Sequence, residues 1–256
     1  MNMTTLENGK CFYSGSTANL YKVRFDKLTI VKILREEYIN NQAALKRFMQ
    51  EKSIVEKLRL HNVPHPVFVD LATKQPYFAY EYIEGTHLNK LIQSNHISQL
   101  CSIGIIRRLL ILLISFKDAG LVHSDITPDN ILLDSNGKVF LIDFGCSDFP
   151  LRTNMTTSTW ISKYTYCSPE QAQGKRWSFQ SDLYQVGSLF YEMLCGQRIN
   201  TGQGREALAM AANPQQPELL TIPEKYWPVL MALLEPKIEK RCGSPCDALI
   251  LLNNIP

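Results

Sequence analysis

The stretch HSDITPDN, residues 123–130, holds an acid two places after a histidine and a carboxamide five places after the acid. Asp125 would orient and deprotonate an incoming hydroxyl, and Asn130 would lend a neutral oxygen to a metal. In LIDFG, residues 141–145, Asp143 follows an apolar strand and precedes a glycine, which suits magnesium chelation. Lys32 in TIVKIL is flanked by Val31 and Ile33, so it projects from the opposite face of its strand and would offer a point charge to phosphate oxygens. Glu51, on the helix predicted next, would reach that ammonium, with Glu56 as a rival. Taken singly, each has an ordinary reading as a strand lysine, a solvated glutamate or a turn acid. Together they are what phosphoryl transfer asks for: positioning, metal-held phosphates and a group that orients the attacking hydroxyl.

Elements must hold these residues in place. FYSGSTANLYKVRF (12–25) and KLTIVKIL (27–34), rich in β-branched and aromatic residues, predict strands with a polar break at Asp26. A helix is expected across 41–60, with Phe48, Ile54, Val55 and Leu58 as its apolar stripe. HNVPHP stops it, and PVFVDLA (66–72) and PYFAYEYI (76–83) predict another strand pair. After Gly85 the pattern turns helical. A long helix over 97–119 ends at Gly120, short strands flank the turn DSNGK at 134–138, and further helices fit 180–195, 204–212, 224–234 and 244–253. A strand-rich part and a helix-rich part, joined near 81–86, would leave a cleft of the kind ligands use.

Bulk properties narrow the classes. Of 256 residues, 45% are hydrophobic and 20% charged, the profile of a soluble globular protein. A net charge of +3 is too small to argue for nucleic acid or a membrane surface. Seven cysteines, an odd number without framework spacing, suggest reduced thiols and a cytoplasmic setting. Cys242 and Cys246 have no partner pair for zinc, and Pro64 keeps His61 and His65 off one helical face. The polar N-terminus MNMTTLENGK lacks a signal-peptide core. The greasiest run, residues 103–115, is interrupted by Arg107 and Arg108 and is too short to span a bilayer, so a core helix is expected.

Lys32, Glu51, Asp125, Asn130 and Asp143 fall in the order Lys, Glu, HxD, Asn, DFG. In this the chain resembles the protein kinase family over roughly residues 10–252, and SPEQAQG at 168–174 looks most like bacterial serine/threonine kinases. The resemblance implies an α+β, bilobal protein-kinase-like fold: a small β-rich N-lobe with one long helix (about 10–81), a hinge (about 81–86) and a larger helical C-lobe (about 87–256). Residues 1–9 would form an N-terminal arm, a candidate for disorder. It further implies that Lys32 holds nucleotide phosphates and pairs with Glu51, that Asp125 is the catalytic aspartate, and that Asn130 and Asp143 bind magnesium, with manganese as an alternative. Gly15, Leu20 and Ile30 would join the ATP-binding set, the backbone of Glu81 and Ile83 would meet adenine, and Tyr80 would be a bulky gatekeeper. SPE at 168–170 resembles the APE motif, Asp182 would tie down the catalytic loop, and Arg241 would pair with Glu170. His123 and Phe144 would be structural, stacked in a spine.

Three departures stand out. Only Gly15 survives of the glycine-rich loop, with Tyr13 and Ala18 where glycines are usual, so the loop should be stiffer and nucleotide handling weaker or slower. Ser124 replaces the arginine that meets a phosphorylated activation loop, which implies activity without that phosphorylation, whether or not TTST at 156–159 is modified. Thr127 stands where a lysine is usual, and Lys163, counted back from Ser168, stands where a threonine is usual. Two readings stand: a reciprocal exchange, with Lys163 supplying the cation and Thr127 the hydroxyl, or Lys163 as an exposed loop lysine in accidental register. The reading is an ATP- and magnesium-dependent serine/threonine protein kinase with a protein substrate, no nucleic-acid partner and no membrane span. Dual specificity stays open. The alternatives are a pseudokinase interaction module and a small-molecule phosphotransferase. With no regulatory domain expected after the catalytic one, control would fall to partners, expression or the lobes themselves.

Overall fold

The computed structural model describes residues 10–58, 60, 62–68, 74–94, 97–147 and 164–255. These divide into two compact units, one reaching to Gly85 with Phe140–Cys146 added, the other running over Thr86–Val139 and from Ser147 onward.

The first unit is an antiparallel sheet of β1 (Lys10–Ser14), β2 (Ala18–Arg24), β3 (Leu28–Leu34) and β4 (Tyr77–Glu81), in that order, with one helix, α1 (Gln42–Lys57). The run expected as one strand over 12–25 is split, because the N–H of Gly15 donates to the carbonyl of Ala18 at 2.9 Å and closes a turn. On β3 the side chains alternate as the pleat requires: Val31 and Ile33 pack with Val23 and Ala79, which leaves Lys32 on the other face. The Asn41 side chain caps α1 by accepting from the Ala44 N–H at 3.0 Å. The helix buries Phe48, Glu51, Ile54 and Val55, so Glu51 lies within the apolar stripe. Of the strand expected over 66–72, only residues 66–68 are described, and these form no strand. They make one bridge, Pro66 to Tyr80, with the Val67 N–H bonded to Ala79. Pro64 and Pro66 have no N–H to give a ladder.

In the second unit β5 (Thr86–His87) pairs with β6 (Ile131–Leu133), and a turn built on Gly137 at φ 72° follows; β7 (Val139–Leu141) starts at the last residue of this stretch, Val139, and runs on into the Phe140–Cys146 stretch of the first unit. The helices are α2 (Leu88–Gln93), α3 (Gln99–Asp118), α4 (Pro169–Ala172), α5 (Phe179–Cys195), α6 (Gly204–Ala212), α7 (Trp227–Leu233) and α8 (Pro245–Asn253). Ser98 caps α3, and Gly120 at φ 70° follows its end. At 20 residues α3 is long and apolar enough to cross a membrane, unlike the shorter run read from sequence. Its apolar side is nevertheless occupied: Ile105, Ile106, Leu109, Leu110, Leu113 and Phe116 are buried, and it packs on α5 and α8. The α5 helix is buried from Ser181 to Met193. A Cβ on its Gly187 would sit 2.8 Å from Leu233 Cβ, so glycine is what lets α7 approach.

Candidate active site

In the first unit, Lys32 on β3 and Glu51 on α1 form a largely buried ion pair, with Nζ 2.6 and 2.8 Å from the two carboxylate oxygens. Asp143 Oδ1 lies 3.5 Å from the same ammonium and accepts the Gly145 N–H at 3.2 Å. Asp143 is held at φ 64°, a conformation an L side chain rarely takes. Burial would lower the lysine, but the carboxylates of Asp143 and Glu51 outweigh it and hold Lys32 above its ordinary value. Burial pushes the Glu51 carboxyl up to about 7 while Lys32 pulls against the rise. The rival Glu56 is exposed and faces Lys52 at 3.9 Å.

The other expected nucleotide residues share this unit. Gly15 does not need a positive φ. It needs room, since a Cβ there would stand 3.0 Å from the Ala18 carbonyl. Arg35 ties the turn down, donating from Nη1 to the Gly15 carbonyl at 3.0 Å and from its backbone N–H to Thr17 at 2.9 Å. Leu20 pairs with Lys32 across β2 and β3, and Ile30 pairs with Tyr80 across β3 and β4. The Glu81 N–H is engaged by the His65 carbonyl at 2.9 Å, so a ligand could use only the carbonyl of Glu81. Ile83 lies two residues beyond, past the end of β4. Burial raises the Tyr80 hydroxyl above its ordinary value, against the charge of Lys32.

In the second unit, Asp125, Thr127 and Asn130 share one buried loop. Asn130 spends its amino group on Asp125, donating to the carbonyl at 2.9 Å and to Oδ2 at 2.7 Å. Its oxygen is therefore the end it could offer a cation. The Thr127 hydroxyl is buried and has no hydrogen-bond partner among the described residues. His123 is fully buried and stacked on Phe116, with Nδ1 accepting the Asp125 N–H at 3.3 Å. Asp182 on α5 takes the N–H groups of His123 and Ser124 at 2.8 and 2.7 Å. Burial lifts its carboxyl to about 7 against those two bonds. Ser124 sits at φ 67° with no exposure.

A second anchor lies in the same unit. Arg241 grips Glu170 in a two-point pair at 2.7 and 2.9 Å, and the Ser181 hydroxyl adds a third bond at 2.6 Å. Burial would raise Glu170, but Arg241 and Ser181 hold it below its usual value. Lys163 and Thr156–Thr159 lie outside the described residues, as do residues 1–9 and His61.

Sequence reading missed the side chains that brace these groups: Arg35 on the Gly15 turn, and Gln171 and Gln185 on the Asp125 loop. The one available signal was Gln185 itself, a carboxamide in an apolar helix. Each taken in its own unit, the Asp143 carboxylate and the Asn130 amide oxygen are oxygen donors of the type magnesium accepts. Among the described residues, no group of three or more His, Cys, Asp or Glu forms a protein-only cage.

The description of the protein kinase domain matches residues 9–250. Over 202 residues the chain is 31% identical to a probable serine/threonine-protein kinase PknB of Lactococcus lactis subsp. lactis (strain IL1403), covering 77% of this chain and 32% of that protein. It is 31% identical over 201 residues to the serine/threonine-protein kinase PknL of Mycobacterium tuberculosis (strain ATCC 25618 / H37Rv), covering 77% and 50%. It is 30% identical over 208 residues to the serine/threonine-protein kinase PrkC of Bacillus subtilis (strain 168), covering 77% and 31%. The chain thus spans between 31% and 50% of the length of these relatives. A match that runs across nearly all of the sequence, and homologues that agree with it, mean that the chain belongs to the protein kinase family, alongside bacterial serine/threonine kinases.

Proposed function

We propose that the chain transfers the γ-phosphoryl of ATP to a serine or threonine hydroxyl of a protein, with magnesium. The observation that carries this is the Lys32–Glu51 pair with Asp143 at 3.5 Å. A largely desolvated ammonium flanked by two carboxylates is costly for a fold to keep, and its chemistry is that of a phosphate-binding cation. Lys32 holds phosphate oxygens, and Glu51 fixes the ammonium. Asp143 and Asn130 supply metal oxygens; the metal, when bound, would offset charge on the phosphates. Asp125 orients the acceptor hydroxyl and takes its proton. Gly15, Leu20, Ile30, Glu81 and Ile83 receive the nucleotide.

Ser124 offers no charge to a phosphorylated loop, which supports activity without loop phosphorylation. The buried Thr127 hydroxyl, with no partner among the described residues, supports the exchange in which Lys163 supplies the cation near the transferred group. Lys163→Ala should then lower kcat/KM by about 30-fold or more, the scale of a preorganised charge. A loss under about threefold rejects the exchange. Replacing Thr156, Thr157, Ser158 and Thr159 together with alanine should leave the rate on an added substrate within about threefold.

The decisive assay follows labelled phosphate from ATP to protein acceptors, with Asp125→Ala beside it. The expected result is label on serine or threonine, falling about 100-fold or more in the variant. Label confined to small molecules, or unaffected by Asp125→Ala, overturns the reading. Nucleotide binding with no transfer would instead indicate an interaction module.

A further inference from the structure

One side chain holds the peptide groups on both sides of Asp125. Gln185 Oε1 accepts the Ile126 N–H at 2.9 Å, and its Nε2 donates to the Ser124 carbonyl at 3.0 Å. The carboxamide has only this orientation, because the Ile126 N–H can only donate and the Ser124 carbonyl can only accept. A group bonded to the carbonyl before a residue and to the amide after it does what a parallel neighbouring strand does. Gln185 is 2% exposed within α5, three residues after Asp182, so both lie on the face turned to the loop. A buried carboxamide in such a helix is unfavourable unless its bonds are met, and here they are.

The bracing continues away from the loop. Gln171 Nε2 also donates to the Ser124 carbonyl at 3.0 Å, and Gln171 Oε1 accepts from Gln185 Nε2 at 3.2 Å. The same oxygen takes the N–H and hydroxyl of Ser168, both at 3.0 Å. A relay of uncharged groups thus runs from Ser168 at the head of α4 to the backbone around Asp125. Ser124, at φ 67°, is kept in its disfavoured conformation by bonds to its N–H and its carbonyl.

We propose that Gln185 is a positioning residue for phosphoryl transfer: its carboxamide fixes the backbone on both sides of Asp125 and so aims the carboxylate. This rests on reading Asp125 as the group that orients the acceptor hydroxyl. It also supplies a reason why the loop can hold its shape with serine, not a cation, at position 124.

The test compares Gln185→Met, which keeps the size and loses both bonds, with Gln185→Glu, which keeps the acceptor and sets an oxygen against the Ser124 carbonyl. Leu189→Ala, from the buried face of the same helix, controls for destabilisation. Both Gln185 variants should lose about 30-fold or more in kcat with KM for ATP within about threefold, and the Ile126 amide should exchange faster. Leu189→Ala, though less stable, should keep kcat within about threefold. The proposal is overturned if Gln185→Met retains kcat, if kcat falls only as thermal stability does in Leu189→Ala, or if Ile126 exchange is unchanged. Should Gln185→Met not fold, Gln185→Asn, one methylene too short to reach both groups, takes its place. If the unmodified protein transfers no phosphate, the functional reading fails on its own, and Ile126 exchange alone decides the clamp.

Discussion

Removing Arg241 should strongly destabilise the second unit. Its guanidinium has five N–H donors. Nε bonds the Glu235 carbonyl at 2.8 Å, Nη1 bonds Glu170 Oε1 at 2.7 Å and the Gln180 carbonyl at 2.9 Å, and Nη2 bonds Glu170 Oε2 at 2.9 Å and the Pro236 carbonyl at 3.3 Å. All five are used, and the Glu170 side chain is 6% exposed. Arg241→Met strands that carboxylate with only the Ser181 hydroxyl, for a loss of about 3–5 kcal/mol, a large share of the about 5–15 kcal/mol that holds a domain folded. Changing both partners, as Glu170→Leu with Arg241→Met, should recover at least about 1 kcal/mol of it. The pH dependence has a definite sign. Glu170 is held below the ordinary 4.5, so its pair contributes stability above that pH that is lost as pH falls through the lower folded value. In Arg241→Met burial is opposed by the Ser181 hydroxyl without the arginine and raises the carboxyl, so the variant gains stability as the acid protonates. The gap between the two proteins should therefore narrow on acidification from neutral pH. Urea unfolding at pH 7 and pH 5 measures both. A gap under about 1 kcal/mol at neutral pH, or one that widens in acid, refutes the account.

The remaining predictions concern the groups around Asp125 and Lys32. Lys32→Met should lower kcat/KM by about 100-fold or more in a steady-state transfer assay, while Glu56→Gln, the exposed rival, stays within about twofold. Gly15→Val places a Cβ 3.0 Å from the Ala18 carbonyl and should raise KM for ATP about tenfold, with the melting temperature nearly unchanged. Asp182→Asn has one acceptor oxygen for two N–H donors, so either His123 or Ser124 loses its bond. It should cost about 1–3 kcal/mol in chemical unfolding.

What could be read from the letters was what local periodicity controls. Alternation put Lys32 opposite Val31 and Ile33, and the helical stripe carried Glu51. The choice between Glu51 and Glu56 was also available from phase, since Glu51 falls three residues from both Phe48 and Ile54, inside the buried stripe. The strand expected from residue 66, by contrast, starts at a proline whose missing N–H argues against a ladder there. Two kinds of fact had no local signal. One is a positive φ at residues other than glycine, as at Ser124 and Asp143. The other is a hydrogen bond across a long stretch of chain: Arg35 to Gly15, 20 apart, went unread, and Asp182 to His123, 59 apart, was expected only through the family resemblance.

Those long bonds bear on the departures that the sequence exposed. Judged by residue type alone, Ser124 in place of a cation looks like a loss, because a charge that could answer a phosphate has gone. Judged by its surroundings, position 124 is a buried backbone node. Its N–H goes to Asp182 and its carbonyl to Gln171 and Gln185. A guanidinium there would have to be desolvated and paired, and no acidic side chain among those three neighbours is spare: Asp182 already accepts two N–H groups. Serine and the two carboxamides form a consistent uncharged set, so the loss of the cation and the presence of Gln185 are best understood as one arrangement. It follows that restoring an arginine at position 124 alone should impair the loop, not improve it.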